Sequence, residues 1–270
     1  MLEIRLHGRP AFLKQFLGPD AQDRLDATLD QIARMAALLD EGPDALCQLL
    51  LTLPAHGVLI TAAAPGQQMS RLLAAAPPQR RAALLARIAA WLRRLIGQDR
   101  HRAPFAPGFW LHRLDGRIAQ VRAPIDRILV AAHMGVLREA AMKLQGAKVL
   151  RATIHGDLTP DNLFLHGARL TAIDPRPSSP LPVVRDVARL LVWLESRRDC
   201  PAPAQRDGIA LADHTALSAL SGLLPADQAP ILRFMIGELL LDYYLASASK
   251  PDRRQALARA MRDWAIRPGP

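Results

Sequence analysis

The sequence predicts an α+β fold whose strands gather near the N-terminus and whose remainder is mainly helical. Residues 2 to 7 alternate apolar and polar side chains, and after a turn at His7-Gly8-Arg9-Pro10 a second strand-like run occupies residues 11 to 17. Beyond residue 63 the apolar residues recur instead at steps of three and four over long stretches, which is the helical period. The exception is a pair of short apolar runs, 163 to 165 and 170 to 173, set around His166-Gly167-Ala168-Arg169 and read as a β-hairpin.

Each element follows from local chemistry. From Pro19 to Glu41, Leu25, Leu29, Ile32, Met35 and Leu39 share one helical face, with Pro19-Asp20 as the start signal and Gly42-Pro43 as the stop. Residues 45 to 53 and 57 to 62 read as two further strands, and Ala63-Ala64-Pro65-Gly66 leads into a helix around Met69 to Leu73. Residues 79 to 97 are helical, with Leu84, Leu85, Ile88, Trp91, Leu92 and Leu95 on one broad face and Gly97 as the stop. Arg80, Arg81, Arg87, Arg93 and Arg94 cover much of the rest, and burial of the apolar face in the core is favoured over a membrane surface. Residues 98 to 122 mix Pro, Gly, Arg and His with Phe105, Phe109 and Trp110, and read as a loop tacked to the core. Pro124 opens a helix whose face runs from Ile125 through Ile128, Leu129, Ala132, Val136 and Ala140 to a stop at Gly146. After the hairpin, Pro175 to Pro182 holds four prolines and reads as a rigid extended segment. A helix opens at Asp186, residues 201 to 228 are loop and short helix, and helices span 229 to 247 and 251 to 266.

The chemistry concentrates in one stretch, His155-Gly156-Asp157-Leu158-Thr159-Pro160-Asp161-Asn162, followed by the hairpin and Ile173-Asp174. The hairpin sets Asn162, just before its first strand, alongside Asp174, just after its second, so that one cation can touch both. The Thr159-Pro160-Asp161 turn sends Asp157 to the same end, within reach of a substrate hydroxyl.

His155-Gly156-Asp157-Leu158 followed by Asn162 and then Ile173-Asp174 resembles the aminoglycoside phosphotransferase and choline kinase family; protein kinases carry His-Arg-Asp at the matching place. The resemblance implies a two-lobed protein-kinase-like fold with a reduced N-terminal β-sheet lobe, residues 1–62, and a mainly helical C-terminal lobe, residues 63–270, holding the catalytic loop at 153–176. It implies ATP and Mg²⁺ as cofactors, with Asp157 as the catalytic base and Asn162 and Asp174 as metal ligands. It further implies that Lys14 is the nucleotide-pairing lysine, that either Asp26 or Asp30 on the first helix orients it, and that residues 60 to 64, with Ile60 and Ala62, form the adenine-facing hinge. An Asp at the place of Asp186 braces the catalytic loop in the family.

Only thirteen residues precede Lys14 and Gly8 is the only glycine among them, so the glycine-rich loop that covers the phosphates is expected to be absent or much reduced. The leading expectation is a phosphotransferase acting on a hydroxyl of a small molecule. A pseudokinase-type binding module with little turnover and an atypical kinase acting on protein or RNA are the alternatives.

Composition narrows the setting. Half of the 270 residues are hydrophobic, which excludes a disordered chain, and the net charge is +10. Of the 35 basic residues only Lys14, Lys143, Lys148 and Lys250 are lysines. That excess of positive charge points to anionic partners, with a phosphorylated or acidic substrate, a membrane surface or RNA all compatible, and it argues mildly against cationic antibiotics; no stretch singles out a nucleic acid. Cys47 and Cys200 match no metal-ligand spacing or disulfide framework, which suits a reducing cytoplasm. The start carries no apolar signal core, and the most apolar region, 45 to 64, is interrupted by Gln48, Pro54 and His56, so no transmembrane span is expected.

Overall fold

The computed structural model describes residues 2–39, 42–97, 99–177, 180–218 and 223–266. Glu41, the expected end of the first helix, Ser178 and Ser179 in the proline-rich run, and residues 219–222 in the expected loop and short helix lie outside them.

In chain order the elements are β1 (Leu2–Leu6), β2 (Arg9–Gln15), α1 (Ala21–Leu38), β3 (Asp44–Leu46), β4 (Leu49–Leu53), β5 (Val58–Ala62), β6 (Gln67–Gln68), α2 (Met69–Ala75) and α3 (Pro78–Ile96). Then come β7 (His101–Pro104), α4 (Pro107–Gln120), α5 (Arg127–Leu144), β8 (Lys148–Ala152), β9 (Leu163–His166) and β10 (Arg169–Ala172). The rest is β11 (Leu181–Pro182), α6 (Val184–Glu195), β12 (Gln205–Arg206), β13 (Ile209–Ala210), α7 (Leu211–Ser218), α8 (Ala229–Ala246) and α9 (Pro251–Ile266). No helix among the described residues is long and apolar enough to cross a membrane.

The chain forms two compact units, one of residues 1–99 with 152–181 and the other of residues 100–151 with 182–270. Position 62/63, where the sequence reading divides the lobes, lies inside the first unit. In that unit a four-stranded sheet runs in the order β1-β2-β5-β4. The β1–β2 hairpin turns on His7 and Gly8, both left-handed at φ 50 and 78, the conformation that matches strand twist in two-residue hairpins. Alternation along β5 decides the two faces. Val58 and Ile60 pack with Ala11 on one side, whereas Leu59 packs with Phe16 and with Leu25 of α1 on the other.

A second sheet, ordered β3-β10-β9-β6, carries the hairpin expected from the sequence. β10 pairs antiparallel with β9 and parallel with β3, Leu170 opposite Asp44. The buried Asp44 carboxylate is held by Arg87 of α3. The apolar face of α3, with Leu84, Leu85, Ile88, Trp91, Leu92 and Leu95, is buried as its periodicity requires.

The other unit is mainly helical. Phe234, Met235, Leu239 and Leu240 of α8 form part of its core, while Glu238 on the same helix is fully buried between Arg113 and Arg185. Residues 98 to 122 are not one loop: β7 pairs with β8, and α4 starts with Pro107 at its first turn and buries Trp110 and Leu114, four residues apart on one face. A proline costs nothing at that position, so the Pro-Gly pair marks a start and not a break.

Candidate active site

The hairpin register builds the site, all of it in the first unit. Leu163 stands opposite Ala172, and one step further the Ile173 N–H donates to the Asn162 carbonyl at 2.9 Å, which makes Asn162 and Asp174 near neighbours across the open end. Asn162 closes the single helical turn Pro160–Asn162: its N–H donates to the Thr159 carbonyl at 2.9 Å, and its Nδ2 donates to the Asp157 carbonyl, also at 2.9 Å. The amide is thereby oriented, and Oδ1 is the atom it can offer to a cation.

His155 joins the loop to the hairpin. Its buried ring approaches the Ile173 carbonyl through Nε2 at 2.9 Å and the Asp157 N–H through Nδ1 at 3.3 Å. Both contacts are satisfied by the neutral tautomer protonated on Nε2. Trp91 packs edge-on against the ring. Gly156 is needed between His155 and Asp157. Its φ is +79, and a Cβ there would stand 3.1 Å from the Arg176 carbonyl oxygen, where the Arg176 N–H also donates to the His155 carbonyl at 3.0 Å.

The charged groups pair in a specific pattern. Lys14 Nζ lies 2.5 Å from Asp174 Oδ1, with the two side chains 26% and 29% exposed. Arg176 lies 3.1 Å from Asp157 Oδ2, with the arginine 61% exposed and the aspartate 17%. Asp174 has φ +52, a left-handed conformation that Asp tolerates better than most residues, and it aims the carboxylate back toward β2. A narrow cleft adjoins this pair, lined by Phe12 and Lys14 of β2, Thr28 and Ile32 of α1, Cys47, then Leu59, Thr61 and Ala62 of β5, and Ile173 to Pro175. Burial pushes the Cys47 thiol above its usual range, so it sits in the wall as a neutral, weakly polar group.

The structure sets Lys14 against Asp174 and the Asn162 amide against the Asp157 carbonyl, and it departs from the sequence expectation at other positions. Lys14 does not pair with Asp26 or Asp30. Both aspartates are on the exposed side of α1, whose buried side is set by Leu25, Thr28, Gln31, Ile32 and Met35, and Asp26 accepts instead from Gln22 at 2.9 Å. The lysine's partner is Asp174, 160 residues away. Ile60 is held inside the sheet between Leu13 and Leu51, and its side chain packs on the face opposite the cleft, with Ala11 and Val58. Ala62 does line the cleft, and the Ala62 and Ala63 N–H groups are already committed to the carbonyls of Gln48 and Pro10.

Sequence reasoning missed Gln31. Fully buried, it donates from Nε2 to the Ile154 carbonyl at 2.7 Å, and so ties α1 to the segment just before His155 and Asp157. A polar pair, Thr28 and Gln31, inside an otherwise apolar helical stripe was the available signal. Gln68 plays a matching part, donating to the Asp161 carbonyl at 2.7 Å. Among the described residues no three His, Cys, Asp or Glu side chains gather as a self-sufficient metal cluster.

A sequence profile of a phosphotransferase enzyme family matches residues 3–223. No curated protein matches the chain in sequence. Among solved structures, a choline kinase from Streptococcus pneumoniae is similar with a TM-score of 0.62 at 17% identity, covering 97% of this chain and 89% of its own. An aminoglycoside phosphotransferase in its apo form has a TM-score of 0.62 at 16% identity, over 97% of this chain and 89% of its own. An amicoumacin kinase complexed with AMP-PNP and Ca²⁺ has a TM-score of 0.63 at 14% identity, over 96% of this chain and 83% of its own. The α+β, protein-kinase-like fold expected from the sequence is the one shared with these structures.

Proposed function

Because the chain belongs to the phosphotransferase enzyme family, we propose that it is an ATP- and magnesium-dependent kinase that transfers the γ-phosphoryl group to a hydroxyl of a small molecule. The observation that carries this reading is the hairpin register, which brings Asn162 and Asp174 to one end beside the loop bearing Asp157.

The donor set fits Mg²⁺. One carboxylate and one amide oxygen are hard ligands, and an ion that keeps waters and completes its shell with phosphate oxygens needs no all-protein cage. Bound there, the metal would neutralise charge on the phosphates. The chain's own groups do the rest. Asp157 takes the proton of the acceptor hydroxyl as the new oxygen–phosphorus bond forms, the bond to the β-phosphate oxygen breaks and ADP leaves. Lys14 hands its charge from Asp174 to phosphate oxygens when nucleotide enters. His155 and Asn162 hold the base loop at fixed spacing from the Asp174 strand end. Of the expected hinge, residues 60 to 64, Ala62 lines the cleft and borders adenine in this scheme, and residues 1–62 serve as the nucleotide-covering lobe. The free thiols of Cys47 and Cys200 suit a reducing, cytoplasmic setting.

A binding module with little turnover is the second reading, favoured by the pairing of both Asp157 and Asp174 with cations of the chain itself. One experiment separates the two: thermal stabilisation by ATP with and without Mg²⁺, then ADP release with a panel of hydroxylated acceptors. For the kinase, Asp157→Ala keeps the fold and the nucleotide stabilisation and lacks transfer. Wild-type turnover in that variant rejects Asp157 as the base.

A further inference from the structure

We propose that Arg176 is the acceptor-binding residue of this site, and that the acceptor is a hydroxyl compound bearing a carboxylate or phosphate group near the reacting hydroxyl. The inference rests on the reading of Asp157 as the base and adds the substrate class. The backbone of Arg176 is fixed in place. Proline precedes and follows it, its N–H is bound to the His155 carbonyl at 3.0 Å, and its backbone lies against Gly156, so the residue is fixed to the loop that carries the base. Its guanidinium reaches Asp157 Oδ2 at 3.1 Å, while the arginine side chain as a whole is 61% exposed and that of Asp157 17%. The arginine therefore stands on the more exposed side of its pair with the base.

A guanidinium has five donors in a planar fork. One edge engages Asp157, and the exposed remainder has the geometry that grips a carboxylate or phosphate with two parallel hydrogen bonds. An anion held there brings a hydroxyl on the same molecule to Asp157. An ammonium group on the acceptor meets like charge at the same spot, and the net charge of +10 over the chain adds to that bias.

The test offers the protein four three-carbon alcohols that differ in charge: glycerol, glycerate, glycerol 3-phosphate and the cationic amino diol serinol. ADP release with Mg·ATP and thermal stabilisation in the presence of Mg·ADP are the two readouts. The expected order puts glycerate or glycerol 3-phosphate first and serinol last, and which anion leads distinguishes a carboxylate site from a phosphate site. Arg176→Gln lowers the advantage of the anion over glycerol roughly tenfold to a hundredfold, the loss of one or two charge-assisted hydrogen bonds, and Arg176→Lys restores part of it. Glycerol or serinol level with the anions in both readouts, including no effect of any of the four, overturns the proposal. So does a Gln variant that lowers kcat equally for anionic and neutral acceptors, since that marks a residue that only positions Asp157. A wild-type protein that Mg·ATP does not stabilise defeats the kinase reading itself, whereas a kinase that prefers serinol defeats only the anionic acceptor.

Discussion

Replacing Gln31 by Met tests the link between α1 and the catalytic loop. Methionine keeps the length and volume of glutamine and removes the donor, so the Ile154 carbonyl loses its 2.7 Å partner with neither residue open to water. A net hydrogen bond contributes about 1 kcal/mol and a buried acceptor left unpaired costs about 1–3 kcal/mol, so the expected destabilisation is about 2–3 kcal/mol. The second contact of Gln31, accepting from Arg34 at 3.1 Å, adds little, because the arginine head can turn to solvent. For a unit of this size the loss lowers the melting temperature by roughly 5–10 °C, read by circular dichroism. Amide exchange across residues 154 to 157 quickens by the matching factor, roughly thirtyfold to a hundredfold, because this segment opens locally first. A variant that melts within a degree of wild type, with unchanged exchange in the loop, refutes the reasoning.

Other perturbations have equally definite outcomes. Asp174→Asn removes both the lysine's partner and a proposed cation ligand; the Mg²⁺-dependent part of ATP stabilisation disappears, while the fold loses at most about 1 kcal/mol, since the pair is partly open to solvent. Thermal shift with and without Mg²⁺ measures both. Gly237→Ala puts a methyl group into the indole of the fully buried Trp264, and overpacking there costs about 2–3 kcal/mol, read by urea unfolding followed through tryptophan fluorescence. His133 is buried beside Trp264 with Nε2 on the Gly237 carbonyl at 2.8 Å, and desolvation lowers its pKa from 6.5 to about 4. The unfolded chain takes up that proton first, so the stability contributed by the neutral ring is whole above pH 6.5 and is lost as pH falls toward 4. Urea unfolding of wild type and His133→Phe across that window checks it, the wild type showing the steeper decline.

Local chemistry made much of this legible. The β1–β2 hairpin, α1, α3 and the β9–β10 hairpin lie within a few residues of where turn signals and periodicity put them, because each is specified by its own neighbours. What escaped depends on contacts distant in sequence. Residues 45 to 53 read as one strand, yet Asp44–Leu46 leaves to pair with β10 and only Leu49–Leu53 joins β5. Lys14 and Asp174 carry no sign of each other across 160 positions. The choice of Asp26 or Asp30 failed on helical phase: positions adjacent to or five past Leu25 rotate away from the buried stripe, and the sequence shows the charge without showing which side the sheet will take.

The parallel pairing of β3 with β10 has a bearing on biosynthesis. Asp44 finds Leu170 only after more than a hundred intervening residues have been made, so the N-terminal segment leaves the ribosome with part of its second sheet still unformed. A ribosome-bound nascent chain ending before residue 163 lacks both β9 and β10, and the backbone of residues 44 to 47 is then without its β10 partners. That interval, in which an unpaired strand edge waits for its partner, is when the protein would depend most on chaperones, and lengthening it by slowed translation through residues 100 to 160 should raise the aggregated fraction.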